Sequence, residues 1–128
     1  RGHGELILVV DDEECIRTVT ERVLVRLGYR VLTACEGADG LVTFSRHQRE
    51  IKAVLVDMVM PVMDGAALIR SLRHRSSDLR IIAMSGLAVQ EDEARKAGVA
   101  DGAFLVKPFE PEVLLHLLHK VLAGHKSG

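Results

Sequence analysis

The chain has 128 residues, with 17 lysines and arginines against 18 aspartates and glutamates, for a formal net charge of −1. A hydrophobic share of 48% beside 27% charged residues supplies one real core and excludes intrinsic disorder, while the longest apolar run, Leu6 to Val10, falls far short of the ~20 residues that cross a bilayer. A balanced charge with one tyrosine and no tryptophan argues against a dedicated nucleic-acid binder, and two cysteines without metal-ligand spacing, Cys15 and Cys35, fit a reducing, cytoplasmic setting and read as structural.

The sequence opens Arg1-Gly2-His3-Gly4, without an initiator methionine or a leader-type segment, and closes Gly124-His125-Lys126-Ser127-Gly128. Residues 1–5 therefore read as linker, 6–123 as a single domain and 124–128 as a flexible tail, with the expectation that the piece was cut from a longer chain. The run Leu6 to Val10 reads as a first strand. After Asp12, the residues Ile16, Val19, Val23 and Leu27 recur at steps of three and four, which predicts a helix buried along that stripe. Glu13 and Glu14 sit in its first turn, where they complement the helix dipole, and Gly28 ends it as a left-handed cap would.

Further runs rich in valine, isoleucine and leucine follow at Arg30 to Ala34, Ala53 to Val56, Arg80 to Met84 and Ala103 to Val106, with successive starts 24, 23, 27 and 23 residues apart. Each interval leaves room for one helix. Strand and helix alternating at this spacing predict parallel strands joined by right-handed crossovers. The segment from Val89 to Ala97 offers only Val89, Ala94 and Ala97 for burial, which predicts a weakly anchored, mobile helix. The last segment places Leu114, Leu117, Leu118, Val121 and Leu122 on one face, between Pro111 near its start and Gly124 just past its end. Five strands and five helices in so short a chain predict an α/β, doubly wound parallel sheet. In such folds ligands bind beyond the carboxyl ends of the strands, where the strand order reverses.

The strand ends are where the polar residues fall. The first run leads into Asp11-Asp12, the third into Asp57, the fourth into Ser85-Gly86 and the fifth into Lys107-Pro108. Three carboxylates gathered at one edge repel one another unless a hard divalent cation or a fixed ammonium compensates them, and Mg²⁺ and Lys107 fit those roles.

The segments Leu8-Val9-Val10-Asp11-Asp12-Glu13, Asp57-Met58-Val59-Met60-Pro61-Val62-Met63-Asp64-Gly65, Ser85-Gly86 and Lys107-Pro108-Phe109, in this order, resemble the receiver domain of two-component response regulators from Ile7 to about Leu122. The resemblance implies a flavodoxin-like fold with strand order 2-1-3-4-5. It implies that Asp57 is the phosphoacceptor, that Asp11 and Asp12 hold Mg²⁺ together with Asp57 and the main-chain carbonyl of Val59, that Lys107 pairs with the Asp57 carboxylate before transfer and with a phosphoryl oxygen afterwards, and that Ser85 donates to another phosphoryl oxygen. It also implies a cis bond between Lys107 and Pro108. Gly86 would leave room for the phosphoryl group. Movement of Ser85 toward the phosphoryl group would open space for Phe104, three residues before the lysine, and so switch the face made by the fourth helix, fifth strand and fifth helix. Phe104 has no hydroxyl, so packing alone would carry that coupling.

The implied partners are a sensor histidine kinase or a phosphotransfer protein, with dimerisation through the switched face and no nucleic acid or membrane contact in this segment. The opening residues resemble the junction at which hybrid sensor kinases join a C-terminal receiver, although stand-alone regulators share most of it. The domain is expected to catalyse only its own phosphorylation and dephosphorylation. Two alternatives remain open: a receiver-like interaction module that is never phosphorylated, and a Mg²⁺-dependent phosphohydrolase with Asp57 as nucleophile. Against the latter, Val59 stands where hydrolases with an aspartate nucleophile commonly carry a second aspartate. An apolar Val59 cannot orient an attacking water, which predicts a long-lived phosphoryl group. Plainer readings cover the rest: Asp64-Gly65 as a turn and helix cap, Met58, Met60 and Met63 as core and loop filling, and His47, His74, His116, His119 and His125 as solvated side chains.

Overall fold

The computed structural model describes residues 2–87 and 89–123. The tail read at 124–128, with Gly124 and His125, lies outside them. Five strands, β1 (Leu6–Val10), β2 (Arg30–Ala34), β3 (Ile51–Asp57), β4 (Arg80–Ser85) and β5 (Phe104–Val106), alternate with five helices, α1 (Glu14–Arg26), α2 (Gly37–Arg46), α3 (Gly65–Arg75), α4 (Gln90–Ala97) and α5 (Pro111–Ala123). All strand pairs are parallel and the sheet order is β2-β1-β3-β4-β5.

The strand sequences account for this order physically. β1 is buried at all five positions, and Ala53–Val56 of β3 are fully buried, so these two near-continuous apolar strands belong in the centre with a helix layer on each face. β2 is mostly exposed or half-buried, as an edge strand should be. The chain steps from β1 to β2 in one direction and from β2 back past β1 to β3, β4 and β5 in the other. Right-handed crossovers then place α1 on one face and α2, α3 and α4 on the opposite face. The reversal puts the carboxyl ends of β1 and β3 side by side, with Val10 paired to Val56.

The helix ends follow local chemistry. Gly28 takes φ 99° just past Leu27, the C-cap of α1, a backbone conformation that favours glycine. Asp64 caps α3 by accepting from the N–H of Ala67 at 2.9 Å, as its reading as a turn and cap anticipates. α5 buries Leu114, Leu117 and Leu118, with Val121 and Leu122 half-buried beside them.

Several expectations change. α1 turns Thr20 and Leu24 into the core, while Val19 is 58% exposed. Ile16, Val23 and Leu27 of the expected stripe are half-buried, Val23 and Leu27 against the core, so the buried face is the expected one turned slightly toward Thr20 and Leu24, and Val19 alone of the four falls outside it. Val89 is not buried in α4: it stands at the N-terminal cap, 82% exposed, leaving Ala94 and Ala97 as the buried residues. Nor is α4 weakly anchored at its far end. Arg73 donates from Nε (3.1 Å) and Nη2 (2.9 Å) to the carbonyl of Gly98, and from Nη1 to those of Ser77 and Leu79. Cys15 and Cys35 are exposed thiols and pack into no core. β3 begins two residues earlier than expected, at Ile51, and runs through Asp57, and β4 includes Ser85. Residues 2–5 lie along the turn between α1 and β2: Gly2 and Gly4 donate to the carbonyls of Leu27 and Gly28, and Arg30 Nε donates to the carbonyl of Gly4. Among the described residues, no helix is long and apolar enough to cross a membrane.

Candidate functional site

β1 ends in the sequence Val10-Asp11, and the parallel ladder extends one step beyond the strand because the N–H of Asp11 donates to the carbonyl of Ala34. That bond fixes the Asp11 backbone at the sheet edge and leaves its carboxylate fully buried. Its Oδ1 accepts from the N–H of Glu13 at 3.0 Å, which folds the following loop over it. Arg17, reaching back from α1, donates to the Asp11 carbonyl at 2.8 Å and ties helix to loop. Asp57 is the last residue of β3, and its Oδ1 accepts from the N–H of Val59 at 3.2 Å. Asp12 is exposed at the rim. One carboxylate oxygen each from Asp11, Asp12 and Asp57 lie within 4.8 Å of one another, and among the described residues no other group of three or more acidic, histidine or cysteine side chains forms such a cluster.

Lys107, immediately after β5, reaches across the edge into this cluster. Its Nζ is 3.1 Å from Asp11 Oδ2, 3.5 Å from Asp57 Oδ1 and 3.9 Å from Glu13 Oε1. The Lys107 N–H donates to the carbonyl of Ser85, which locks β5 to β4 at the site, and the bond between Lys107 and Pro108 is cis, as the resemblance implies. The closer partner of the ammonium is thus Asp11 rather than Asp57.

The electrostatics reflect crowding. Burial, reinforced by the negative charge of Asp11, pushes the Asp57 carboxyl up to about 7, against the attraction of Lys107 and the Val59 N–H. Burial works to lower the Lys107 ammonium, but the carboxylates of Asp11 and Asp57 outweigh it and raise it. One ammonium for three carboxylates leaves a net negative pocket of hard oxygen donors. That donor set fits a small divalent cation such as Mg²⁺, which takes few protein ligands and keeps the rest of its shell as water.

Ser85 ends β4 with its side chain fully buried, but its hydroxyl is turned toward α4. It donates to Gln90 Oε1 and accepts from the N–H of Leu87 at 2.9 Å. Phe104 starts β5, half-buried against the core. Gly86 is exposed, and a Cβ there would meet nothing closer than 3.9 Å. Beside the acidic cluster lies an open groove of about 710 Å³ whose walls include Ile16, Val19, Val59 and Phe109, with Asp57 and Lys107 among its lining.

The structure brings Asp11, Asp12, Asp57 and Lys107 together and sets Ser85 and Phe104 on the neighbouring strands. Three participants had no signal in the sequence. Arg17 and Gln90 are ordinary polar helix residues whose roles depend on where the adjacent strand ends, and Val19 was assigned to the core.

The sequence model of the family described as "Response regulator receiver domain" matches residues 7–119. The chain is 36% identical over 118 residues to a probable transcriptional regulator, ycf27, of Porphyra purpurea, covering 92% of this chain and 47% of that protein. It is 35% identical over 119 residues to the transcriptional regulatory protein PrrA of Mycobacterium bovis, covering 91% and 48%. The chain thus spans about half the length of the curated relatives it matches. Among solved structures, the chemotaxis protein CheY4 of Vibrio cholerae superposes with a TM-score of 0.85 at 30% identity, covering 93% of this chain and 99% of that one. The response regulator TrrA of Thermotoga maritima, solved in complex with Mg²⁺ and BeF, gives 0.82 at 30% identity, covering 92% and 99%. This chain belongs to the response regulator receiver domain family, a class of signalling domains.

Proposed function

We propose that the chain is a phosphoacceptor that takes a phosphoryl group from a phosphohistidine onto Asp57. The observation that carries this reading is the buried Asp57 carboxylate, held 3.5 Å from a lysine ammonium and beside two further carboxylates at the switch point of the sheet. An Asp57 oxygen attacks phosphorus in line. The new O–P bond forms as the P–N bond to the imidazole breaks, and the ring leaves after taking up a proton, so that Asp57 becomes an acyl phosphate. Lys107 exchanges carboxylate for phosphoryl oxygens. Ser85 turns from Gln90 to donate its hydroxyl to another, and Phe104 moves into the space released, altering the face of α4, β5 and α5.

Asp11, Asp12, Asp57 and the Val59 carbonyl would hold Mg²⁺, which neutralises charge on the phosphoryl oxygens and favours the ionised Asp57 nucleophile. TrrA, captured with Mg²⁺ and BeF on the same fold, supports that assignment. The donor is a sensor histidine kinase or phosphotransfer protein in the cytoplasm. The apolar walls of the groove beside Asp57 suit a protein surface better than a small phosphate ester. Dimerisation uses the α4-β5-α5 face. Exposed and apolar at 54%, Val59 offers no group to orient water at the acyl phosphate, so the phosphoryl group is long-lived.

Intact mass after incubation with acetyl phosphate or phosphoramidate and Mg²⁺ tests the reading. A phosphoryl-sized, Mg²⁺-dependent gain that disappears in Asp57→Ala is expected. No gain with any donor would refute it and leave a docking module that is never phosphorylated.

A further inference from the structure

We propose that Gln90 is a positioning residue that latches Ser85 in its turned-away arrangement, so that the amide opposes phosphoryl binding and links it to the first turn of α4. The inference rests on the assignment of Asp57 and Ser85 above and adds a residue that lies outside every motif carrying the resemblance.

A serine hydroxyl has one proton to give. Here it goes to Gln90 Oε1, while the oxygen accepts from the Leu87 N–H at 2.9 Å. The N–H of Gln90 in turn donates to the Leu87 carbonyl at 3.0 Å, so Ser85, Leu87 and Gln90 close a small ring at the junction of β4 and α4. Ser85 is fully buried, so its hydroxyl cannot exchange Gln90 for water without moving. A phosphoryl oxygen on Asp57 gains the Ser85 proton only when Gln90 gives it up. Half-buried Gln90 can then turn its amide to solvent, which keeps the exchange reversible.

The position of Gln90 couples this exchange to the helix. It is the first residue of α4, which buries only Ala94 and Ala97 and whose far end is held by Arg73 through the Gly98 carbonyl. Freeing the first turn while the last stays clamped pivots α4 about its C-terminal end. The amide therefore joins the hydroxyl that senses phosphate to the element that reports it.

The test measures BeF₃⁻ binding in the presence of Mg²⁺ by thermal shift and NMR titration. Gln90→Ala is expected to bind about fivefold more tightly than wild type, the worth of one net neutral hydrogen bond. Gln90→Glu keeps the acceptor and is expected to bind no more tightly than wild type. In a Ser85→Ala background, Gln90→Ala should make no difference. Unchanged or weaker binding in Gln90→Ala, or a gain that persists without the Ser85 hydroxyl, would overturn the latch. A second measurement needs no phosphoryl analogue: amide exchange of Leu87 in the ligand-free protein should quicken several-fold in Gln90→Ala and not in Gln90→Glu. If wild type binds no BeF₃⁻, the phosphoacceptor reading fails, and Leu87 exchange alone decides whether the latch exists; equal exchange in wild type and Gln90→Ala would reject it.

Discussion

Replacing Asp57 by asparagine keeps the side-chain oxygen that accepts from the Val59 N–H and removes the charge. Without metal, this should stabilise the protein. The carboxyl stands at about 7 against an ordinary 3.8 because burial and Asp11 penalise its ionised form more than Lys107 favours it. For a group raised in the folded state, the stabilising contribution is complete below its unfolded value and is lost as pH rises through its folded one. The Asp57 contribution is therefore lost between about pH 4 and about pH 7, and at about 1.4 kcal/mol per pH unit that loss is bounded at about 4 kcal/mol. Urea unfolding in EDTA should show Asp57→Asn more stable by about 2 to 4 kcal/mol near pH 8, with the difference closing near pH 4 where wild type is protonated. Saturating Mg²⁺ should narrow the gap by binding the ionised carboxylates of the wild-type fold. A mutant less stable than wild type near neutral pH without metal, or a gain independent of pH, would refute the view that like-charge crowding and burial dominate this pocket.

The lysine tests the same balance from the other side: Lys107→Met leaves the buried carboxylates without their ammonium and should cost about 3 kcal/mol in metal-free urea unfolding, part of it recovered with Mg²⁺. Gly65→Ala would place a Cβ 2.4 Å from the Asp57 carbonyl oxygen and 2.5 Å from the Met58 Cα, both backbone atoms that cannot yield cheaply. A loss of about 3 kcal/mol in the same assay is expected. Arg73→Ala strips the carbonyls of Gly98, Ser77 and Leu79 of their donor. It should lower stability by about 2 kcal/mol and speed amide exchange in the last turn of α4. Val59→Asn introduces a group able to hold water and should shorten the phosphoryl half-life several-fold, measured by intact mass after donor removal; an unchanged half-life would show that Val59 does not control hydrolysis.

The alternation of elements and the polar residues that stop the strands are readable from residue order alone. An apolar run long enough for one strand, followed by an aspartate, can bury the run only by presenting the aspartate at the sheet edge, which makes Asp11 and Asp57 legible without coordinates. The order 2-1-3-4-5 was legible through the resemblance; spacing alone admits other orders. Tertiary structure decided what periodicity leaves degenerate. Ile16, Val19 and Val23 and Ile16, Thr20 and Leu24 both recur at helical steps; packing against the core keeps Val23 and Leu27 half-buried, buries Thr20 and Leu24, and leaves Val19 to line the groove. Val89 falls outside the core because α4 begins one residue later, with its buried side confined to two alanines.

The same limit holds within the site. The ammonium of Lys107 lies closer to Asp11, 96 residues away in the chain, than to the Asp57 with which the resemblance pairs it. Such distances are set by how far β5 slides along β4 and how the next loop turns, and neither is written in any local pattern. The direction of the Ser85 hydroxyl is decided likewise. The observed rotamer satisfies both the Leu87 N–H and the Gln90 amide oxygen, and those partners exist only once α4 is packed beside β4.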